Sequence, residues 1–268
     1  YTRKIAEEMH VQGLMNMQYA IENGKVFVLE ANPRASRTVP LVSKVCNVRM
    51  LPIETEIITR ELTGKESPVP ALEEKVIPYY GVKEAAFPVN MFPDVDQLLG
   101  PEMRSTGEVL GLSESYGEAF YKAQEAVQSK LPLSGTVLIS VNRKDKAEVV
   151  EVAKLFHENN FRIIATEGTC QLINEAGIPA EKVKKLCEGR PNVLDEITNG
   201  KVDIIVNSPV GKDSVYDDSY LRKAAIKGRI PYCTTMAAAM AAATGIHAVN
   251  NLDGGKIASL QELHGRIK

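Results

Sequence analysis

The sequence predicts an α/β fold with two differently built parts. After about residue 132, strand-like and helix-like segments alternate regularly, which is typical of parallel strands joined by covering helices. Before that position, short strand-like runs lie among irregular, proline-rich stretches such as residues 67–70 and 87–101, which favours a mixed α+β region. With 268 residues, the chain can form one large domain or two ordinary ones, each with its own core.

Three signals predict the elements of the first part. Residues 3–9 have the pattern of a helix already under way, so we expect the chain to be the C-terminal piece of something longer. Residues 13–20 and the apolar run 26–29 predict two strands, the second of them buried. Asn23 followed by Gly24 is a strong signal for a hairpin turn between these strands.

The second part alternates strands and helices up to an alanine-rich helix. One buried helix face is predicted by four apolar side chains at helical spacing, Val149, Val152, Ala153 and Phe156. The alanines of residues 236–245 suit a tightly packed helix better than a lipid-exposed one. The predicted strands are residues 136–141, 161–165 and 202–206, and further helices are predicted at residues 116–130, 169–176 and 220–227.

Composition and charge exclude several functional classes. The 32 lysines and arginines nearly balance the 34 aspartates and glutamates, so no global field would attract nucleic acid or an anionic membrane. No apolar run approaches the roughly 20 residues that span a bilayer. The histidines show no metal-ligand spacing. The cysteines form no closely spaced pair, which favours reduced thiols in a cytoplasmic protein: Cys46, Cys170, Cys187 and Cys233.

The end of the second predicted strand carries a dense polar group. Glu30 and Asn32 alternate onto one face about 7 Å apart, and the hairpin would bring Gln18 beside Glu30. A carboxylate with two amide oxygens offers the hard ligands that Mg²⁺ prefers, with substrate phosphates completing the shell. Arg34 and Arg37 follow, and guanidinium groups bind phosphate oxygens in pairs. The group indicates phosphoryl transfer, although a strand end with solvated charges explains it equally well.

A second candidate site lies in the alternating part. Residues 166–169 (TEGT) follow a strand and open a helix, so backbone N–H groups and two hydroxyls can converge on an anion. Another strand ends at the edge where open α/β sheets place ligands, and two lysines would add positive charge. The ordinary alternative is a threonine N-cap and a glycine turn. The candidate anion ligands are Lys146, Thr166, Thr169, Lys185 and Asn207.

Four longer strings give the sequence a family resemblance. They are GLMNMQYAIENGKVFVLEANPRASRTVP, VIPYYGVKEAAFP, LLGPEMRSTGEVLG and CEGRPNVLDEITNGKVDIIVNSP. Together they resemble the C-terminal part of the large, synthetase subunit of carbamoyl phosphate synthase, over essentially the whole chain. The resemblance implies the end of the second ATP-grasp unit at residues 1–60, a wrapping segment and linker helix at 61–132, and a Rossmann-like, methylglyoxal-synthase-like regulatory domain at 133–268.

The resemblance also implies an activity. In that family ATP activates bicarbonate, ammonia arrives from glutamine hydrolysis on a small partner subunit, and a second ATP phosphorylates the carbamate, for pyrimidine or arginine biosynthesis. Gln18, Glu30 and Asn32 match the family's Mg²⁺ or Mn²⁺ ligands, while Arg34 and Arg37 match its phosphate-facing catalytic arginines. Because the rest of the ATP site would lie upstream, we expect this piece alone not to make carbamoyl phosphate.

A regulatory role follows from the same resemblance. The five candidate anion ligands match positions that hold the phosphate or ribose of a nucleotide effector, UMP or IMP in many members. Pro209 departs from the family, because some members have a hydroxyl residue there and proline offers no donor. A second effector, ornithine, binds some members at a site matched by Glu84, Leu99, Tyr232 and Thr234.

Two other functions and one kind of association stay open. The chain could be a stand-alone nucleotide-sensing module that docks through its first part. A lyase of the methylglyoxal synthase type would need a carboxylate base, but the acids nearest to Asn207 in sequence, Asp203 and Asp213, do not match that arrangement. Apolar surface left without upstream neighbours would favour a homo-oligomer of the chain.

Overall fold

The computed structural model describes residues 1–64, 74–88, 102–208, 215–251 and 257–268. The chain divides into two compact units, the first formed by Tyr1–Pro78 with Ala258–Lys268 and the second by Tyr79–Ile257. The domain boundaries predicted at residues 60 and 132 stay predictions. Three residues singled out in the sequence lie outside the described residues: Leu99, Pro209 and Asp213.

The first unit combines a β-hairpin with helices. Its elements are α1 (Thr2–Glu8), β1 (Asn16–Glu22), β2 (Lys25–Asn32), α2 (Thr38–Cys46), α3 (Met50–Thr63) and α10 (Leu260–His264). Strands β1 and β2 pair antiparallel, and Asn23 and Gly24 at the turn have φ values of 50° and 75°. Two consecutive residues with positive φ are typical of a type I′ turn, so the hairpin predicted from Asn-Gly is confirmed.

The second strand of this hairpin is not buried. In the part of the unit that the structure describes, Val26 is 36% exposed and Leu29 is 63% exposed. The prediction of a buried strand at residues 26–29 is therefore wrong. The reason is that β1 and β2 form a separate two-stranded sheet, which the described helices of this unit leave largely open. The register shifts between Gln18 and Tyr19, and Leu29 is the extra residue of a bulge in β2.

The second unit begins with a two-stranded sheet covered by one helix. Strand β3 (Tyr80–Ala86) pairs antiparallel with β4 (Gly107–Ser113), and α4 (Tyr116–Ala126) packs against both strands. A Cβ on Gly111 would lie 2.0 Å from the carbonyl oxygen of Ala119, so the helix backbone rests directly on β4. Glycine at this position permits that close approach.

A five-stranded parallel sheet forms the larger part of this unit. Its strands are β5 (Gly135–Ser140), β6 (Phe161–Thr166), β7 (Ala180–Val183), β8 (Ile204–Asn207) and β9 (Tyr232–Cys233). Their order is β7-β6-β5-β8-β9, and every neighbouring pair is parallel. The chain runs outward from β5 to β6 and β7, then returns to the other side of β5. The pair β5 and β8 is thus the switch point of the topology, and α/β sheets bind ligands outside the carboxyl ends of such strands.

Helices cover both faces of this sheet. They are α5 (Val149–Glu158), α6 (Glu167–Glu175), α7 (Val193–Thr198), α8 (Val215–Gly228) and α9 (Met236–Asn251). One core joins α5, α6 and α9 to the sheet face that carries Val137 and Ile139, and the other joins α7 and α8 to the face of Leu138. Alternate β5 side chains thus enter opposite cores, as in other parallel sheets buried on both sides. The predicted α/β architecture is confirmed.

Two helix predictions are confirmed by burial. The four side chains of the apolar face predicted for α5 are fully buried. Helix α9 is tightly packed, because α4 crosses it where a Cβ on Gly117 would lie 2.7 Å from the carbonyl oxygen of Thr244.

Among the helices that the structure describes, none combines the length and apolar character needed to cross a bilayer.

Candidate functional site

The polar group on the hairpin is assembled by strand register. Gln18 lies opposite Glu30, and its Nε2 donates a hydrogen bond to Glu30 Oε1 at 2.6 Å. Asn32 lies two residues further along β2, opposite Asn16, so it shares a face with Glu30. The neighbourhood of Gln18 and Glu30 predicted from the sequence is present. The role of these residues as metal ligands stays a prediction.

The donor set on this face fits a hard divalent cation. It consists of one carboxylate and two amide oxygens, which are the ligand types that Mg²⁺ accepts. Gln18 and Glu30 are exposed and Asn32 is half-buried, so water and phosphate oxygens can reach them. Within the described residues no group of three or more His, Cys, Asp or Glu side chains is placed to hold a metal ion. A cation here would therefore depend on Glu30 for charge and on a bound substrate for further ligands.

The two candidate arginines follow directly on the strand end. The backbone N–H of Arg34 donates to the carbonyl oxygen of Asn32 at 2.9 Å, which turns the chain away from the sheet. The Arg34 side chain is exposed, and its Nη1 donates to the Ala35 carbonyl oxygen at 2.9 Å. Arg37 is also exposed and precedes the first residue of α2. Both cations thus stand on one short loop next to the polar face, where a phosphate could meet them.

The second candidate site occupies the carboxyl edge of the parallel sheet. Three neighbouring strands end in polar residues there, β5 at Ser140, β6 at Thr166 and β8 at Asn207. Ser140 and Asn207 are partners in the parallel register, and Thr166 Oγ1 donates to Ser140 Oγ at 3.3 Å. Thr166 and Asn207 are each only 4% exposed. Buried polar groups at a strand edge must find partners, and here they gather at the switch point of the fold.

The start of α6 offers uncapped backbone donors at this edge. Thr166 is the N-cap residue, but its side chain makes no capping hydrogen bond to the first turn. Lys146 Nζ donates to the carbonyl oxygen of Gly168 at 3.1 Å, so a cation stands across the first turn of the helix. Thr169 Oγ1 accepts a hydrogen bond from the Val141 backbone N–H at 3.5 Å. Backbone N–H groups, the helix dipole and a lysine therefore favour an anion at this place.

The two remaining candidate ligands lie at the same edge. Asn207 Nδ2 donates to the Tyr232 hydroxyl at 2.7 Å, across the boundary between β8 and β9. Lys185 is exposed and follows β7, where it precedes a one-turn 3₁₀ helix formed by Leu186–Glu188. The carboxyl ends of parallel strands meet at one edge, so all five predicted ligands stand there. Lys146 contacts Gly168 in the first turn of α6, which also carries Thr169, whereas Lys185 lies beyond the end of the outer strand β7.

One carboxylate stands close to the anion position. Glu167 is the first residue of α6, and a hydrogen bond from Lys182 lowers its pKa, so the group stays charged. The same contact raises the pKa of Lys182. The ammonium group partly neutralises Glu167, which would otherwise repel an anion at the helix start. Both side chains are exposed, so this ion pair contributes little to folding stability.

Sequence reasoning missed three residues that organise this edge. Asn142, Asp145 and Ser208 form a hydrogen-bonded group in which Asn142 Nδ2 donates to Asp145 Oδ2 at 2.7 Å and to Ser208 Oγ at 3.1 Å. Asn side chains commonly bond the backbone two residues further on, so Asn142 could have indicated a turn at this place. The contact with Ser208 could not be seen, because it depends on β8 lying beside β5.

The predicted ornithine residues stand on two different sheets. Glu84 lies on β3, where Gln124 Nε2 donates to its Oε2 at 2.9 Å, and burial raises the pKa of this carboxyl. Tyr232 lies on β9, and Thr234 follows that strand directly. Leu99, the fourth member, is outside the described residues. Ornithine binding stays a prediction.

Asp203 is the acid nearest to Asn207 in the described sequence, and its hydrogen bond indicates a structural role. Asp203 Oδ2 accepts a hydrogen bond from the Thr136 backbone N–H at 2.7 Å. Thr136 lies at the start of β5 and Asp203 precedes β8, so both stand at the amino edge of the sheet. The carboxyl edge with Asn207 is at the opposite end of these strands. Asp203 is therefore not a base for a lyase reaction beside Asn207.

A family model and curated relatives match this chain. The MGS-like domain model matches residues 148–234, which include Thr166, Thr169, Lys185 and Asn207 and begin just after Lys146. The chain is 48% identical over 251 residues to the carbamoyl phosphate synthase large chain of Acidobacterium capsulatum, and this match covers 92% of the chain and 23% of that protein.

Shorter relatives match the chain from end to end. Its identity to the carbamoyl phosphate synthase large chain, C-terminal section, of Methanocaldococcus jannaschii is 45% over 276 residues, covering 100% of this chain and 44% of that protein. The corresponding protein of Aquifex aeolicus is 41% identical over 280 residues, with 98% of this chain and 52% of that protein covered. The chain thus spans about half the length of these C-terminal sections and about a quarter of a full large chain.

Two solved structures show a more distant likeness. Methylglyoxal synthase from Elizabethkingia anophelis has a TM-score of 0.34 and 19% identity, covering 41% of this chain and 76% of that one. ForH has a TM-score of 0.31 and 17% identity, covering 49% of this chain and 90% of that one. The fold assignment depends on the parallel sheet and on the MGS-like match.

Proposed function

We propose a function from the premise that this chain corresponds over its whole length to the C-terminal part of carbamoyl phosphate synthase large chains and carries an MGS-like domain. The proposed role is that of the C-terminal portion of such a synthase, with a catalytic part at the hairpin and a nucleotide-sensing part at the parallel sheet. The full reaction would use bicarbonate, glutamine-derived ammonia and two ATP, with a glutaminase subunit as partner, in the cytoplasm.

The hairpin would serve the phosphorylation of carbamate by ATP. Gln18, Glu30 and Asn32 would hold Mg²⁺ or Mn²⁺, and the cation would screen the negative charge of the nucleotide phosphates. Arg34 and Arg37 would bind phosphate oxygens through their guanidinium groups. What supports this proposal is the 2.6 Å contact between Gln18 and Glu30 on a face that solvent can reach. Because the chain spans about a quarter of a full large chain, we expect that alone it does not make carbamoyl phosphate.

The parallel sheet would bind a nucleotide effector through its phosphate. The observation that carries this proposal is Lys146 Nζ across the first turn of α6, where the N-cap side chain makes no capping bond. Thr166 and Thr169 would contribute hydroxyls, while Asn207 and Lys185 would reach other parts of the nucleotide. UMP and IMP are the proposed effectors, and both offer a dianionic phosphate to the helix start.

Isothermal titration of the chain with UMP and with IMP tests this proposal. We expect binding of at least one nucleotide, and we expect Lys146→Ala to weaken it by about tenfold or more, because a charged hydrogen bond to phosphate is lost. Lys144→Ala is the matched control. It removes an equal charge from the same loop, and the Lys144 side chain is exposed.

Two results would contradict the effector site. Wild-type chain that binds neither nucleotide would show that the described edge is not a nucleotide site in this protein. Equal weakening by Lys144→Ala and Lys146→Ala would show that binding depends on net charge rather than on the contact at the start of α6. A further assay, for methylglyoxal formation from dihydroxyacetone phosphate, separates the lyase alternative from effector binding, and Asp203, at the amino edge, offers no base for that reaction.

A further inference from the structure

The side chain of Lys146 belongs to neither of the two cores of this unit. The residue lies in a single 3₁₀ turn, Asp145–Ala147, and none of the three residues of this turn is buried. Lys146 is half-buried, and its side chain has four rotatable bonds between the backbone and Nζ. On its C-terminal side the turn runs into α5, where the Glu148 backbone N–H donates to the Asp145 carbonyl oxygen at 3.2 Å, and its N-terminal side needs an anchor of its own.

A single side-chain amide closes the loop that carries this turn. Asn142 Oδ1 accepts hydrogen bonds from the backbone N–H of Lys144 at 2.7 Å and of Asp145 at 3.2 Å. On its other side, Asn142 Nδ2 donates to Asp145 Oδ2 at 2.7 Å. The amide therefore bonds the residues directly before Lys146 through three contacts. Asx turns of this kind replace backbone contacts that a short loop lacks.

Ser208 anchors this loop to the neighbouring strand. Its Oγ accepts from the backbone N–H of Asn142 at 2.9 Å and from Asn142 Nδ2 at 3.1 Å. Its own backbone N–H donates to the carbonyl oxygen of Ser140 at 3.1 Å, and the residue is 4% exposed. Ser208 directly follows Asn207, so the loop after β5 and the end of β8 are held together at one buried point.

We propose that Asn142, anchored by Ser208, is a positioning residue that orients Lys146 toward a phosphate at the start of α6. This inference rests on the effector site proposed above and adds a residue that would touch no ligand atom. The reasoning is geometric, because the amide fixes the backbone from which the lysine side chain extends. Without the amide, Lys146 keeps its charge but loses the fixed backbone that presents Nζ to an anion.

A double-mutant cycle tests this inference. Titrations with UMP, IMP and inorganic phosphate would compare the wild-type chain with Asn142→Ala, Lys146→Ala and the double variant. We expect Asn142→Ala to weaken nucleotide binding about tenfold, as the loss of one well-placed charged contact would. We expect the double variant to bind no more weakly than Lys146→Ala alone, because both changes remove the same contact.

The outcomes separate this inference from the effector site itself. If Lys146→Ala weakens binding while Asn142→Ala leaves it unchanged, the effector site stands and the positioning role is overturned. Losses that multiply in the double variant would also overturn it, since Asn142 would then act independently of Lys146. Wild-type chain that binds none of the three probes would overturn the effector site and this inference together.

A second variant covers the case in which Asn142→Ala does not fold. Ser208→Ala removes the anchor and keeps the three contacts that Asn142 makes with its own loop. We expect this variant to weaken binding by a smaller factor, again without a further loss when Lys146→Ala is added. Thermal unfolding of each variant reports folding separately. Binding by Ser208→Ala equal to that of the wild type would overturn the role of the anchor.

Discussion

Asn207 Nδ2 donates a hydrogen bond to the Tyr232 hydroxyl at 2.7 Å, linking the ends of two neighbouring strands. Asn207 is 4% exposed, so this contact helps to fix the orientation of its amide. Asn207 belongs to the proposed effector site, whereas Tyr232 belongs to the predicted ornithine site. This hydrogen bond therefore joins a residue of the proposed nucleotide site to a residue of the predicted ornithine site.

Changing Tyr232 to Phe should weaken nucleotide binding several-fold. The ring remains, but a buried amide N–H loses a partner, which also costs about 1 kcal/mol of folding stability. Isothermal titration with UMP and IMP, together with urea unfolding, measures both effects. The matched control is Tyr220→Phe on α8, where the ring is 55% exposed. Unchanged binding in Tyr232→Phe would mean that the amide is held in place by its other neighbours.

Changing Glu30 to Gln should abolish carbamate phosphorylation in a full-length synthase that contains this region. The variant keeps the shape of the side chain and loses the charge that would hold the cation. Bicarbonate-dependent ATP hydrolysis should persist, and the two partial reactions can be assayed separately. Glu22→Gln, at the turn end of the same hairpin, is the control. Retention of both partial reactions in Glu30→Gln would remove Glu30 from the proposed metal site.

Changing Gly111 to Ala should destabilise the second unit by about 3 kcal/mol. The added Cβ would lie 2.0 Å from the carbonyl oxygen of Ala119, and a backbone atom cannot move aside cheaply. Gly107→Ala on the same strand is the control, since its Cβ would meet Ala86 Cβ at an ordinary 3.9 Å. Urea unfolding measures both variants. Equal stability of the two would show that α4 can shift away from β4.

Glu84 should make folding stability depend on pH in a defined direction. Burial raises the pKa of Glu84, and hydrogen bonds from Ala85 and Gln124 oppose that shift. A carboxyl with a raised folded-state pKa contributes most to stability below about pH 4 and loses that contribution as pH rises through the folded pKa. Relative to the wild type, Glu84→Gln should therefore gain stability from pH 4 to pH 7.5. Urea midpoints at both pH values test this, and a pH-independent difference would contradict it.

The exposed hairpin should make the chain associate at high concentration. Four large apolar side chains of β1 and β2 are between 47% and 73% exposed: Ile21, Phe27, Val28 and Leu29. Open strand edges with apolar side chains favour pairing between copies. Leu29→Lys should reduce the association measured by light scattering, whereas Leu133→Lys in the other unit should not. A wild-type chain that stays monomeric at every concentration would refute this prediction.

The fold of the alternating part was predictable because each element carries its own pattern. The buried face of α5 and the apolar runs of β5, β6 and β8 satisfy helix and strand periodicity within a few residues of chain. Helices α2 and α3, which carry Pro40 and Pro52, were not among the predicted elements. In both helices the proline stands in the first turn, where its missing N–H costs nothing.

Burial and long-range contacts were less accessible to sequence reasoning. The apolar run of β2 has the composition of a buried strand, but exposure is decided by what packs on it, and that information is not local. By contrast, topology rules were sufficient to place the strand ends at Thr166 and Asn207 at one edge of the sheet. The contact between Asn142 and Ser208 could not, because it joins loops that only the completed sheet brings together.

The strand order of the parallel sheet has a consequence for synthesis on the ribosome. β5 is made first and occupies the centre, and its partner on the far side, β8, is completed only when residue 207 has been translated. Until then, the nascent chain presents an unpaired edge of β5, with Leu138 and Ile139, which are fully buried in the finished protein. Translation of the intervening chain takes several seconds at about 5–20 residues per second. Protection by a chaperone would matter most in that interval.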